Sequence, residues 1–224
     1  MRLEEKHWQE PNKELIDEES PLPKVEEPSI TYQKQRYSYA DYITWADDQI
    51  REIIDGVIYA FSAPMRIHAA TVISFLKRVL PFISKRKVKC KIYTAPFDVR
   101  LPLNGERDDH QIFNVVQPDI VVVCDPAKLD EKGCIGAPDL VVEIISQSTS
   151  KRDLNEKFSL YEKAGVPEYW VVYPQDKGVT VYLLQSDGKY NEGAAYQITY
   201  GTNKVPVQTL EGLVIDLEEL FEEE

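Results

Sequence analysis

The sequence predicts an α/β (α+β) protein, a mixed β-sheet with a helix on each face. Three observations carry this. Short β-branched runs are bounded by Gly, Pro and Asp; two longer segments have helical spacing; and the order is hairpin, helix, several strands, helix, strands. A length of 224 residues suits one domain with tails, and 43% hydrophobic content is enough for a sizeable core.

Residues 1–36 are rich in Glu, Lys and Pro and read as an extended or disordered charged arm. The domain, 37–224, opens at "YSYADYITWADD", where Ser38 is placed to cap a helix over Tyr39 to Trp45. "REIIDGVIYAFS" carries Asp55-Gly56 between β-rich runs, and that pair tolerates the positive φ angles of a tight hairpin. "RIHAATVISFLKRVLPFISK" places Ile67, Ala70, Val72, Ile73, Leu76, Val79 and Leu80 at spacings that suit a helix packed on a sheet. Strands follow in "VKCKIYTA", "FDVRLPL", "VVQPDIVVVCD" and "DLVVEIIS", with "PAKLDEKGCIGAP" as the loop before the last. "TSKRDLNEKFSLYEKAG" is the second helix, with Leu154, Phe158 and Tyr161 on one face and Gly165 as its stop. "EYWVVYP" and "VTVYLLQ" form an antiparallel pair, and "QITYG" and "LVIDLEELF" close the chain with an acidic end.

The net charge is -12, which weighs against a nucleic-acid partner. Its distribution weakens the objection. Residues 1–36 hold 6 basic and 9 acidic side chains and residues 205–224 hold 0 and 7, leaving 20 basic and 22 acidic between them. Cys90, Cys124 and Cys134 show neither CxxC pairing nor metal-ligand spacing and read as thiols in a reducing compartment. No apolar run approaches the roughly 20 residues of a bilayer span, and no apolar leader opens the chain. A cytoplasmic protein without membrane contact is the expectation.

The chemistry concentrates in "NVVQPDIVVVCD" and "GAPDLVVEIIS". Each carries an acid, Asp119 or Glu143, into or beside a buried-looking strand. On neighbouring strands, two carboxylates about 4 Å apart repel by roughly 4 kcal/mol at an effective dielectric near 20. A lysine or a divalent cation turns that cost into a binding site, and hard oxygen donors favour Mg2+, with Mn2+ as the other choice.

"QPDIVVV" with "VVEIIS" behind it resembles the PD-(D/E)XK nuclease superfamily. With "REIIDGVIY", "PFDVRLP" and "RDLNEKFSLYEKAGVPEYWVVYP" added in order, the resemblance sharpens to the bacterial restriction-endonuclease group known as the Uma-two family, over about 37–185. That resemblance implies a restriction-endonuclease-like fold and metal-assisted hydrolysis of phosphodiesters, most directly in DNA. It makes Asp119 and Glu143 metal ligands and Glu52 an acid that completes the site. The motif lysine, two residues past Glu143, is here Ile145; the resemblance moves its role to Lys157 on the following helix. Helical geometry, at 100° per residue, sets Lys157 at the border of the buried face and turns Glu156 and Lys163 away. A homodimer would suit cutting of two strands.

Bland readings stand beside these. Asp119 can cap the turn before its strand, Lys157 can be a solvated helix lysine with Lys151 and Lys163 nearby, and Glu52 can pair with an arginine at the sheet edge. Asp98 is a weaker site candidate, His68 reads as structural or as a donor on the substrate side, and Asp139 as a turn residue. Ile145 and the acidic charge also motivate a second function, a catalytically silent module of the same fold that binds a protein or nucleic acid.

Overall fold

The computed structural model describes residues 36–46, 49–60, 65–145 and 152–222. The expected arm, save Arg36, lies outside the described residues, as do Lys151, the side chain of Leu154 and the last two acids. In chain order the elements are α1 (Tyr39–Tyr42), β1 (Arg51–Ile54), β2 (Val57–Ala60), α2 (Arg66–Arg86), β3 (Lys91–Thr94), β4 (Val99–Arg100), β5 (Val115–Val116), β6 (Ile120–Val123), β7 (Leu129–Asp130), β8 (Gly133–Ile135) and β9 (Leu140–Ile144). A π-helical stretch over Arg152–Lys157 then runs into α3 (Phe158–Ala164). β10 (Glu168–Tyr173), β11 (Gly178–Leu183), β12 (Ala194–Gln197), β13 (Lys204–Val207), β14 (Leu213–Asp216) and α4 (Leu217–Leu220) complete the fold.

Local chemistry sets the ends as expected. Ser38 accepts the Asp41 N–H while Asp41 accepts from the Ser38 N–H, a reciprocal capping box, although α1 stops at Tyr42. Asp55 and Gly56 take φ of 50° and 75°, the two positive angles of a tight hairpin turn between β1 and β2. Gly165 closes α3 in the left-handed region at φ 83°.

The strands form two mixed six-stranded sheets, ordered β2-β1-β5-β4-β8-β7 and β12-β11-β10-β9-β6-β3, with β13-β14 as a separate pair. Each large sheet holds one parallel pair, β4 with β8 and β9 with β10. The expectation of one sheet is corrected: "VVQPDIVVVCD" is two strands broken at Gln117-Pro118, β5 in the first sheet and β6 in the second. Proline lacks the N–H a ladder needs and suits a strand's margin. The β7–β8 hairpin inside the predicted loop, and β13, went unforeseen because each is a run of only two to four residues.

The second sheet is covered on both faces. Ile120, Val122, Leu140, Val142, Trp170 and Val172 face Phe75 and Val79 of α2. The alternate residues, Val121, Val123, Val141, Tyr169 and Val171, face Leu160 and Tyr161 of α3 together with Val99, Val116 and Cys134 of the first sheet. A helix on each face is therefore as predicted, but α2 is rotated from the expected contact. Its buried line is Thr71, Phe75 and Val79, whereas Ile67, Ile73 and Leu80 are exposed. A helix with apolar residues on several sides does not declare which stripe packs. α2 is also, by length and composition alone, apolar enough to cross a bilayer, with a mean hydropathy of 1.3, against the expectation that no segment approaches this. Its buried line packs in the core.

The cysteine reading is corrected as well. Cys90 and Cys124 lie one step beyond the Lys91↔Val123 pair of β3 and β6 and are joined in a disulfide. Register across two strands 34 residues apart brought them together, which a search for local spacing does not detect. The thiol argument for a reducing compartment falls away with it. Cys134 remains a buried free thiol.

Candidate active site

Asp119 stands immediately before β6 and Glu143 within β9. The strands are antiparallel, Ile120 faces Val142, and one step further Asp119 comes opposite Glu143. Residues 119, 121 and 123 share the α3 face with 141 and 143, so both carboxylates enter on the side where α3 and the first sheet pack. Directly opposed residues of an antiparallel pair have Cβ atoms about 4.5–5.5 Å apart. The juxtaposition expected from the sequence is therefore a product of register.

Glu143 is 3% exposed. Its Oε1 accepts from the Lys157 ammonium at 2.8 Å and from the Tyr161 hydroxyl at 2.6 Å. Lys157, 1% exposed, lies equally close to Oε1 of Glu52, at 2.8 Å. Glu52 comes from β1 of the other sheet and also accepts the Gln117 N–H at 2.9 Å. One ammonium thus bridges two carboxylates from two sheets. Burial pushes the Tyr161 phenol well above its usual range, and the adjacent Glu143 and Glu52 charges push it further. Tyr161 stays a hydrogen-bond donor at neutral pH.

Both oxygens of the Asp119 carboxylate have nitrogen partners. Oδ2 accepts the Ile144 backbone N–H at 2.6 Å, and Oδ1 lies 3.0 Å from Nε2 of His68 in the first turn of α2. Asp139, in the second Pro-Asp dipeptide, takes the turn role expected of it, accepting the Cys124 N–H at 2.7 Å. Asp98 accepts from the hydroxyls of Tyr39 and Tyr42 and from the Gln117 amide.

Ile145 explains where the lysine went. It lies on the same face as Glu143 and packs into the apolar cluster under α3. Lys157 reaches Glu143 from the helix above, at the end of the π-helical stretch. Such stretches place one extra residue in a turn and re-aim the side chains that follow.

The profile of the Uma2 family, described as "Putative restriction endonuclease", matches residues 39–218. The chain belongs to the Uma2 family. An uncharacterized Synechocystis protein, slr1290, is 28% identical over 166 residues, covering 73% of this chain and 81% of its own. A crystal structure from Anabaena variabilis ATCC 29413, of a "putative nuclease belonging to DUF820", superposes with a TM-score of 0.64 at 19% identity, over 82% of this chain and 97% of that one. Membership assigns this chain to a group of restriction-endonuclease type, and the structural likeness shows the shared fold.

Within this Uma2 chain the four residues singled out from the sequence divide into two contacts. Glu52, Glu143 and Lys157 form one cluster, and Asp119 stands opposite Glu143 in a dyad with His68. Glu52 pairs with Lys157, and Lys157 is buried rather than solvated. A histidine in the first turn of a helix, as His68 is, carries no sequence pattern that marks it as a site residue. The sequence presents Tyr161 as part of an apolar face, and its position four residues after Lys157 puts both on one side of a helix.

Proposed function

We propose that this protein is an Mg2+-dependent endonuclease that hydrolyses phosphodiester bonds in DNA, with Asp119, Glu143, Lys157 and Glu52 as its site. The observation that carries the reading is Lys157 bridging Glu52 and Glu143 at 2.8 Å while Asp119 stands opposite Glu143. Two carboxylates with one ammonium, and a third carboxylate beside them, make a site with surplus negative charge. A hard divalent cation fits such donors. Among the described residues no three His, Cys, Asp or Glu side chains converge to hold a metal by themselves. The fit is thus to an ion completed by water and by phosphate oxygens, the habit of Mg2+ and Mn2+. Asp119 and Glu143 would hold it, and when bound it supplies Lewis-acid polarisation of the phosphate and a water of lowered pKa.

The chain's own groups have separate tasks. Lys157 offsets negative charge that develops on the phosphoryl oxygens. Tyr161 and Glu52 hold Glu143 and Lys157 in one arrangement, so neither reorganises as charge shifts. His68 and the Ile144 N–H fix the plane of the Asp119 carboxylate. The silent-module reading rests on Ile145 and on the acidic net charge, and Lys157, at the end of the π-helical stretch, answers the first of these by bringing a lysine to Glu143.

Plasmid incubated with Mg2+ or Mn2+ is expected to be cut by the wild type and left intact by Asp119→Ala and by Glu143→Ala. Calorimetric titration with Mn2+ should show binding that Glu143→Ala abolishes. Equal behaviour of all three proteins in both assays refutes the proposal.

A further inference from the structure

A cavity of about 470 Å³ opens beside this site. Tyr93 and Phe97 line it, their rings stacked with centroids 4.2 Å apart and planes 1° from parallel. Asp98, Tyr42 and Gln117 line it too. Asp130 and Glu131 are exposed members of the same wall. Two hydrogen bonds tie the cavity wall to the candidate site. Gln117 gives its N–H to Glu52 and its side-chain amide to Asp98 and the Tyr42 hydroxyl. Ala95 gives its N–H to the carbonyl of Asp119 at 3.3 Å, so the segment carrying Phe97 and Asp98 departs from the Asp119 position itself.

We infer that this cavity receives one unstacked nucleobase of the substrate. The inference rests on the nucleic-acid reading above and names the part of the substrate the neighbouring surface takes. The outer face of this stacked aromatic pair suits a base, because every base has a π-face. Acidic groups in the wall repel a phosphate, which leaves the backbone at the metal-binding carboxylates. The polar wall is rich in acceptors. Gln117, 7% exposed, commits its amide N–H group to Asp98 and Tyr42, and its Oε1 is buried with no partner among the described residues. The amino groups of guanine, adenine and cytosine and the N3–H of thymine are all donors that such acceptors can receive from an unpaired base. Lys132, the cation of the lining, is already paired with Asp109. Enzymes acting on nucleic acid commonly draw a base out of its stack into such a pocket.

The test uses the whole chain in EDTA, so that no cleavage occurs. The probe is a short single-stranded oligonucleotide carrying one 2-aminopurine and an end-attached fluorescein. Binding raises fluorescein anisotropy, and stacking on the Tyr93–Phe97 wall quenches 2-aminopurine. Phe97→Leu keeps apolar volume without the ring and is expected to lose the quenching and bind about tenfold more weakly, equivalent to 1.4 kcal/mol. Phe97→Tyr, which keeps the ring, is expected to restore both, and thermal melting of each variant checks its fold. Anisotropy that rises without quenching, or quenching that survives in Phe97→Leu, overturns the pocket and leaves the nuclease reading standing. No rise in anisotropy overturns both. Capture of a tetralysine peptide in place of the oligonucleotide, lost in Phe97→Leu, also overturns the inference and assigns the cavity to a basic protein partner.

Discussion

Lys157→Met is the most informative single change in this molecule. The ammonium it removes is 1% exposed and lies 2.8 Å from Oε1 of both Glu52 and Glu143, themselves 0% and 3% exposed. The variant leaves two buried carboxylates without their shared cation. Breaking a buried ion pair from one side costs about 3–5 kcal/mol, and for a chain of this size each kcal/mol moves Tm by about 2–4 °C, so a fall of about 6–20 °C is expected. The assay is thermal unfolding followed by circular dichroism at neutral pH. A triple variant, Glu52→Gln with Lys157→Met and Glu143→Gln, removes all three charges and is expected to recover most of the loss, since the penalty lies in the stranded charge. A Lys157→Met protein that melts within about 2 °C of the wild type refutes the reasoning, because that shift corresponds to at most about 1 kcal/mol. A triple variant no more stable than the single one refutes it equally.

Other expectations come from separate parts of the fold. Burial, with Glu143 second for Tyr161 and Glu162 second for Tyr190, holds both phenols above their usual range. The unfolded chain releases those protons near pH 10 while the folded chain keeps them, so stability is intact below about pH 10 and falls as pH rises further. Urea unfolding at pH 8 and at pH 11 should show the drop, and equal stability at both contradicts the burial of these hydroxyls. Phe75→Ala, in a T-shaped contact with Trp170 at 5.8 Å, is expected to cost about 3–5 kcal/mol, while Ile73→Ala on the exposed side costs under about 0.5 kcal/mol. Similar losses in chemical denaturation would put the α2 packing face back where the periodicity suggested. Gly56→Ala at φ 75° sets a Cβ 2.7 Å from that of Arg36 and should lower stability by about 1–3 kcal/mol or more. Gly105→Ala, at a similar φ with nothing within 4 Å, carries the backbone strain alone and is expected to melt higher than Gly56→Ala.

Much of the site was legible because it sits on local grammar. Asp119 and Glu143 stand out as acids at the margin or within apolar runs, and the Asp55-Gly56 turn announces the hairpin that carries Glu52. Lys157 was legible only through helical phase joined to family resemblance, since nothing in its own neighbourhood separates it from Lys163, which is exposed. What escaped was long-range. His68 meets Asp119 across 51 positions (119 minus 68), and Cys90 meets Cys124 across 34. Neither pair leaves a spacing signature. The division into two sheets escaped for a different reason: Val115–Val116 and Ile120–Val123 are both runs of β-branched residues, and Gln117-Pro118 between them marks the change of sheet.

The two Pro-Asp dipeptides have a consequence for how β6 finds its partner. Ile120 to Val123 are buried on both faces, as are Leu140 to Val142, so sliding either strand by one residue would still bury apolar side chains. Hydrophobicity alone is therefore a weak guard against misalignment here. Asp119 accepts the N–H of Ile144 at one end of the strand pair, and Asp139 accepts the N–H of Cys124 at the other. A slip of one residue would break both bonds and turn Asp119 to the opposite side from Glu143. The polar ends of the β6–β9 pair thus act as an alignment check, and a chain that passes the check has by the same step assembled its candidate active site.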